Sequence, residues 1–471
     1  MPHDIQKGEK HMTSKLRRWL LFLIFLNGYV SLSLELVVLR QLGFFVGSSA
    51  VITSIIMGTF LGFMSLGYFR GASIRIRKMG AKSILRASFI IIAAIGVLAG
   101  SFALLSTYFS IMYMMGIRSG VVQTFIYSLV FLSVGPFLFG VNTALLSRYL
   151  NKFNINSTGS IMAWDTIGSV MGSLATTLLL MPFIGVNYTI LLITVLALVG
   201  AYVARPAWHM IIWAAAILIP AQIINSNAFL LRTRGILVNN ANSTISVADF
   251  GTGRILYMNG LPMSVHYKNN QSSAQYIDYI NHNFLYNMPA DRTHDILILG
   301  AGGFTAGLQD TRNNYTFVDI ERTLKDISEK HFLHQKLTPN KKFVVQDASQ
   351  FLKNTPNKYD LIMLDVYSNS YQVPEDLITA EFLQRIKSRV KDGGIVIMNM
   401  VTSPNFADTY TRVFDNTFHA VFTSNTTRQT IGYYNPWTDT DPANIIYVWY
   451  NRGDDNRIYT INKTPVIYDR Y

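Results

Sequence analysis

Long apolar runs fill the first half of the chain, and their texture changes after Asn225. Runs at roughly 19–39, 50–69, 84–106, 121–147, 161–181, 187–204 and 208–225 each approach the ~20 residues that a helix needs to cross a bilayer core of ~30 Å. Between Ala87 and Ser147 the only charged side chain is Arg118. From Asn225 the sequence turns polar and Asn-rich. Alternation there predicts short strands at 236–239, 244–250 and 254–258, with turns at Gly251-Thr-Gly253 and Asn259-Gly260, then a helix at roughly 271–286. An α/β alternation follows. Strands are expected at 295–300, 315–319, 342–347, 359–365 and 395–400, helices at 321–331 and 379–390, and closing strands at 417–422 and 445–450.

This pattern predicts a multi-span α-helical membrane domain over 1–229 with six or seven helices. A small β-hairpin region with a linking helix follows over 230–290. An α/β doubly wound, Rossmann-like methyltransferase-type domain covers 291–471.

Charge sharpens the division. Residues 1–229 contain 16 Lys/Arg against four acids, and residues 230–471 contain 24 against 23. The net +13 is thus +12 in the first half and +1 in the second. The excess sits in short loops between apolar runs, as topogenic charge does, so nucleic acid is rejected as a partner. With no cysteine, disulfides, thiolate catalysis and Cys-ligated metals are excluded. The first apolar run is too long for a cleavable signal peptide and leads straight into further spans.

Within the apolar half, Gly58-xxx-Gly62, Gly96-xxx-Gly100 and Gly168-xxx-Gly172 suit close helix packing, although glycine is common in membrane helices generally. Glu35 and Asp165 are its intramembrane acids. Each is either functional or structural, Glu35 pairing with Arg40 and Asp165 capping a helix.

Candidate chemistry clusters at strand ends. Gly300, Gly302 and Gly303 follow the first parallel strand, where a glycine turn lets backbone approach a ligand. Asp319 ends the second, about twenty residues on, where a carboxylate can accept from ribose hydroxyls. Asp347 ends the third, where it can accept from an adenine amine. Asp365 ends the fourth, above the reacting centre. Any one of these is a plausible cap or turn residue; all of them, in order, point to a nucleoside site. Tyr367, Tyr371 and Phe304 could wall an acceptor pocket or simply pack.

From about Thr244 to Met400 the chain resembles the spermidine synthases, the polyamine aminopropyltransferases, and as a whole it resembles their membrane-fused relatives. The resemblance rests on Ile298-Leu-Gly-Ala-Gly-Gly303, Val318-Asp-Ile-Glu321, Gln346-Asp-Ala348, Ile362-Met-Leu-Asp365, Pro374 and Leu377-Ile-Thr-Ala-Glu-Phe382. Upstream, Leu256-Tyr-Met-Asn-Gly260 is similar to the family's hairpin, and Tyr276-Ile-Asp278 with His282 to its Y-H-E helix. The resemblance implies a co-substrate, decarboxylated S-adenosylmethionine or S-adenosylmethionine, along Gly300, Gly302, Gly303, Asp319 and Asp347, and no metal. It implies that Asp365 orients or deprotonates an acceptor amine, with Tyr276, Asp278, Tyr367 and Ser368 on the acceptor side.

Three acids of the family pattern are missing. Gly303, followed by Phe304, stands where an acid holds the donor's terminal amine, Ser368 stands at the second acid of the catalytic loop, and Ser272-Ser273 replaces an acidic pair. A polycationic acceptor needs such acids, so plain S-adenosylmethionine becomes a candidate donor. The leading expectation is a membrane-integrated transferase of the EC 2.5.1 type, moving an aminopropyl group to an amine. The alternatives are a methyl or related transferase on an amphipathic substrate, and a transporter or sensor with a nucleoside-binding domain. Expected partners are the lipid bilayer, a small amine or amphipathic acceptor, and in a homodimer a second copy.

Loop charge and chemistry then disagree about the side of the inner membrane. Seven spans from a cytoplasmic first loop put residues 230–471 outside, whereas the donor is made inside. The last run, short and containing Pro220, is therefore expected to be interfacial or re-entrant, returning the second half to the cytoplasm.

Overall fold

The computed structural model describes residues 14–47, 49–74, 78–151, 158–268, 272–367, 373–432 and 441–453. The chain divides into two compact units, Met1–Ala248 with Tyr257–Leu261, and Asp249–Leu256 with Pro262–Tyr471.

The first unit is helical. Its helices are α1 (Ser14–Val46), α2 (Ala50–Ser73), α3 (Lys78–Gly100), α4 (Phe102–Met114), α5 (Gly120–Phe131), α6 (Val134–Asn151), α7 (Thr158–Leu174, extended by a π-helical stretch to Leu180), α8 (Met181–Ala204), α9 (Met210–Ile224) and α10 (Asn227–Arg234). Among the described residues, Lys15–Val46, Ala50–Ser73, Gly80–Gly100 and Gly159–Ala204 are each long and apolar enough to cross a membrane. Two bent pairs qualify when taken together, α5 with α6 at 45° and α9 with α10 at 50°.

The 46-residue run Gly159–Ala204 would be about 70 Å long if straight. Gly185 breaks it, with φ 80° and ψ 166°, a conformation open to glycine and costly for other residues. Its two arms run in opposite directions beside α1. Thr176 donates to Ser33 Oγ at 2.9 Å, and a Cβ on Gly168 would strike the Phe25 carbonyl, so α7 is parallel to α1. A Cβ on Gly200 would lie 3.2 Å from Leu26, and one on Gly100 would meet both Val37 and Ile190, so α8 is antiparallel to α1. The two spans expected at 161–181 and 187–204 are both present as arms of this hairpin.

One expected span is shorter here and another is bent. The span at 84–106 ends at Gly100, because Ser101 is extended (φ −77°, ψ 124°) and starts the separate α4. The span at 121–147 is present as two helices, α5 and α6, bent by 45°. Pro136 lies in the first turn of α6, where its missing N–H costs nothing. The last run forms a bent pair of helices, α9 and α10. Its α9 lies back along α8, Met210, Ile211, Ala214 and Leu218 forming one groove with Val195, Leu198 and Tyr202. At its end Asn225 donates to Ser101 Oγ at 2.9 Å. Its fifteen residues cover about 22 Å, comparable to the stretch of α8 that it follows.

Close helix approach is set by glycine. Any side chain at Gly28, Gly168 or Gly172 would collide across α1 and α7, and any at Gly67, Gly71 or Gly140 across α2 and α6. Of the expected pairs, Gly96 and Gly100 touch side chains only, at 3.6 and 3.2 Å, and Gly58 and Gly62 have nothing within 4 Å. Inside the bundle, Asn27 bonds Thr143 and accepts from Asn142. Glu35 is 5% exposed, and Asp165 lies mid-helix in α7, so it is not a cap.

A four-stranded sheet follows in the order β1 (Ile236–Asn239), β2 (Thr244–Asp249), β3 (Gly253–Met258), β4 (Leu261–Tyr267). The last of these is a strand that the alternation did not reveal. The second unit then runs α11 (Gln275–Ile280), β5 (Asp295–Leu299), β6 (Asn314–Asp319), α12 (Leu324–Ile327), β7 (Lys341–Val345), α13 (Ala348–Asn354), β8 (Tyr359–Leu364), α14 (Ala380–Ser388), β9 (Val390–Thr402), α15 (Thr409–Val421), β10 (Thr426–Ile431) and β11 (Ala443–Tyr450). Its seven strands lie in the order β10-β11-β9-β8-β5-β6-β7. The five strands β5 to β9 are parallel to their neighbours within that set, and β11 and β10 are antiparallel. This is a doubly wound, mixed sheet of the Rossmann-like methyltransferase type.

The strand expected at 417–422 lies in α15 instead. Thr411, Phe414, Phe418 and Val421 are its buried residues, spaced three and four apart as one helix face requires, and this periodicity outweighs their β-propensity. The strand beside β11 comes from 426–431.

Candidate functional site

In this topology the chain leaves β5 for β6 and β7 on one side and returns to β8 on the other. The crevice beyond the carboxyl ends of β5 and β8 is therefore the switch point where such sheets bind ligands. Gly300 and Asp365 stand on its two sides. Asp365 donates its N–H to Leu299 O at 2.8 Å. Gly300 has φ 93°, and a Cβ there would strike the Asp365 carbonyl, so only glycine lets the two strand ends meet.

The Gly300 turn is fixed from below. Ala301 N–H donates to Asp319 Oδ2 at 3.0 Å, Glu321 N–H to Asp319 Oδ1 at 2.9 Å, and Gly303 N–H to Ser264 Oγ at 2.8 Å. Burial raises the Asp319 pKa, although these backbone donors oppose the shift. The Ile320 N–H also favours its ionised form. Asp347 is the N-cap of α13 and accepts from Gln350 N–H at 2.9 Å. The strand before it ends at Val345, two residues sooner than expected.

Asp365 follows β8 directly and is held from two sides. Tyr276 donates to its Oδ2 at 3.0 Å and Asn399 Nδ2 to its Oδ1 at 2.9 Å. Tyr367 donates to the Asn399 carbonyl at 2.8 Å, bracing β9 against the loop. Burial pushes the Asp365 pKa up to about 6, against the two hydrogen bonds that favour its ionised form. The same burial, with the nearby Asp365 charge, raises Tyr276 and Tyr367, so both remain donors at neutral pH.

Asp360, four residues before the end of β8, is the contrast. It is buried too, but hydrogen bonds from Lys391, the Asp295 N–H and Arg292 outweigh that burial and hold its pKa down to about 2. One buried carboxylate is a locked structural ion; the other is poised to exchange a proton near neutrality.

Other expected residues divide. Asp278 is committed to the preceding loop, accepting from Ser272 Oγ at 2.7 Å and Ser273 N–H at 2.8 Å. Phe304 does not wall a pocket: it is fully buried and packs edge-on against Phe317 and Phe343. Ser368 and Tyr371 lie outside the described residues. Two site residues escaped the sequence reading. Asn399 is 1% exposed with its Oδ1 unpartnered; the signal was a lone amide in the apolar stretch 395–401. Ser264 lies on the strand β4 that was not anticipated.

Fold and site together define a Rossmann-like α/β domain with a buried carboxylate at its switch point. Residues 275–434 match the spermine/spermidine synthase domain, and this segment is spermidine synthase-like. The polyamine aminopropyltransferase of Sulfurisphaera tokodaii is 34% identical over 138 residues, 27% of this chain and 44% of the relative. That of Vibrio vulnificus is 28% identical over 162 residues, 31% of this chain and 52% of the relative. The chain thus spans about half the length of these curated relatives. The crystal structure of a probable spermidine synthase from Corynebacterium glutamicum aligns with a TM-score of 0.39 at 19% identity, over 47% of this chain and 80% of that one.

Proposed function

We propose that the protein is a membrane-integrated transferase that moves an aminopropyl group from decarboxylated S-adenosylmethionine to an amine. The observation that carries this reading is the Asp365 carboxylate, buried beside the Gly300 turn at the switch point and held by Tyr276 and Asn399. The donor's ribose would bond the Asp319 carboxylate, its adenine would lie toward Asp347, and its sulfonium would sit over Gly300. The acceptor nitrogen attacks the carbon beside the sulfonium. The carbon–sulfur bond breaks toward sulfur, methylthioadenosine leaves, and the nitrogen's surplus proton passes to Asp365. A protonated amine has no lone pair, so a carboxylate titrating near 6 is suited to take that proton. The unpartnered Asn399 Oδ1 supplies a second acceptor for the amine. No metal is needed for any of these steps.

Methyl transfer from S-adenosylmethionine is the second reading. The buried Phe304 follows Gly303 where the resemblance calls for an acid on the donor's terminal amine. Purified protein incubated with each donor and putrescine, with products identified by mass, separates the two. Spermidine and methylthioadenosine support the first reading. Binding of neither donor rules out both.

A further inference from the structure

The membrane half has one basic end, and the chain departs from the other. Packing fixes the direction of each long helix in the first unit. Relative to α1, α7 is parallel and α8 antiparallel, as described. A Cβ on Gly96 would meet Leu34 and one on Gly100 would meet Val37, so α3 is parallel to α1. Asn27 bonds Thr143 while Leu34 faces Gly135, so α6 is antiparallel to it. Collisions at Gly67, Gly71 and Gly140 align α2 with α6, and α9 returns along α8.

The start of α1 therefore shares one end of the bundle with the ends of α2, α6 and α8 and the starts of α3 and α7. Its ties are visible. Trp19 donates to Val203 O at 2.6 Å, Lys82 Nζ lies 5.0 Å from the Trp19 ring centre, Arg205 bonds Ser83, and Arg148 bonds Ile74 O at 2.5 Å. Lys15, Arg17, Arg18, Arg70, Lys82, Arg86, Arg148 and Arg205 all belong to this end. In the sequence, the same connecting segments contain Lys7, Lys10, Arg75, Arg77, Lys78 and Lys152 as well.

At the opposite end Arg40 Nε donates to the carbonyls of Asn240 and Ala241, both at 2.9 Å. Asn239 bonds Gln41 at 3.2 Å and Asn187 at 3.0 Å. Leu230 and Ile236 pack with Phe102. This is where the chain leaves α10 for the first strand of the small sheet. The basic residues at this end are Arg40, Arg118, Arg232 and Arg234, four against fourteen.

Basic loops stay on the cytoplasmic side of a membrane. We infer that the spermidine synthase-like domain stands on the extracytoplasmic face, carried there by an odd number of crossings that ends with α9. This rests on the membrane integration proposed above and specifies where its substrates come from. A charged sulfonium nucleoside does not cross a bilayer unaided. The site therefore draws on nucleosides and amines present outside, and an export step must supply any donor made in the cytoplasm.

The chain has no cysteine, so single-cysteine labelling has no background. Ser388, exposed on α14, and Ser160, exposed near the start of α7, are changed one at a time in the full chain. Spheroplasts of an expressing bacterium are treated with a membrane-impermeant maleimide before and after permeabilisation. The expected result is that Ser388→Cys labels in intact spheroplasts and Ser160→Cys only after permeabilisation. The reverse pattern overturns the inference, as does equal labelling or equal protection of the two before permeabilisation. Asn416→Cys, exposed on α15, repeats the test should Ser388→Cys not accumulate. Labelling requires no turnover, so this result is separable from failure of the purified protein to bind or convert a donor.

Discussion

At the residue scale, Asp365 and Asp360 show how one strand places two carboxylates in opposite regimes. Asp360 is surrounded by cations and backbone donors, whereas Asp365 receives only a phenol and an amide. Replacing Asp365 by Asn keeps the shape and removes the proton acceptor, so turnover should fall by ~10²–10⁴. The folded pKa of about 6 lies above the ordinary aspartate value of 3.8. Folding therefore disfavours the ionised form, and this cost develops as pH rises through that window. Asp365→Asn should thus leave Tm unchanged or raise it at pH 8 and lose that advantage at pH 4, read by thermal melts at both values. In the native enzyme the acid limb of kcat/KM should bend near pH 6. Asp360 has the opposite sign. Its depressed pKa contributes stability above about pH 4 that disappears as pH falls toward 2, and a neutral Asp360→Asn should remove that dependence.

At the element scale, glycine decides which helices and strands can meet. Gly168→Leu must push α7 off α1 at the Phe25 carbonyl. It should destabilise the first unit by ~1–3 kcal/mol or more, seen as a lower Tm in detergent. Gly58→Ala, with nothing within 4 Å, should be neutral or slightly stabilising, because alanine is the better helix former. Gly300→Ala combines a left-handed backbone with a collision at Asp365 O. Titration should show loss of nucleoside binding. The misplaced strand at 417–422 belongs to this scale too. Phe418, Val421 and Phe422 look β-like locally, and only their three- and four-residue spacing from Thr411 and Phe414 reveals the buried helix face.

At the scale of the whole molecule, two compact units with separate cores share one chain. Gly168→Leu should therefore lower the melting temperature of the helical unit while donor affinity, measured on the same preparation, stays within about twofold, since distant sites with no shared partners add. Coupling larger than that would argue for communication between the units. The charge asymmetry of +12 against +1 also acts at this scale, since it bears on the orientation inferred for the bundle rather than on its fold.

The sequence by itself determined the two halves, most of the strands around the site, and the order of glycines and acids along them. Those features follow from local periodicity and from residue types that strand ends demand. It also held the charge that bears on the bundle's orientation, but not the path of α9. Tertiary structure alone decided that α9 lies back along α8. It also paired Asp365 with Asn399, 34 positions away, and turned Phe304 into the core. Each of these depends on which elements lie side by side, and contacts between residues far apart in the chain leave no local period to read.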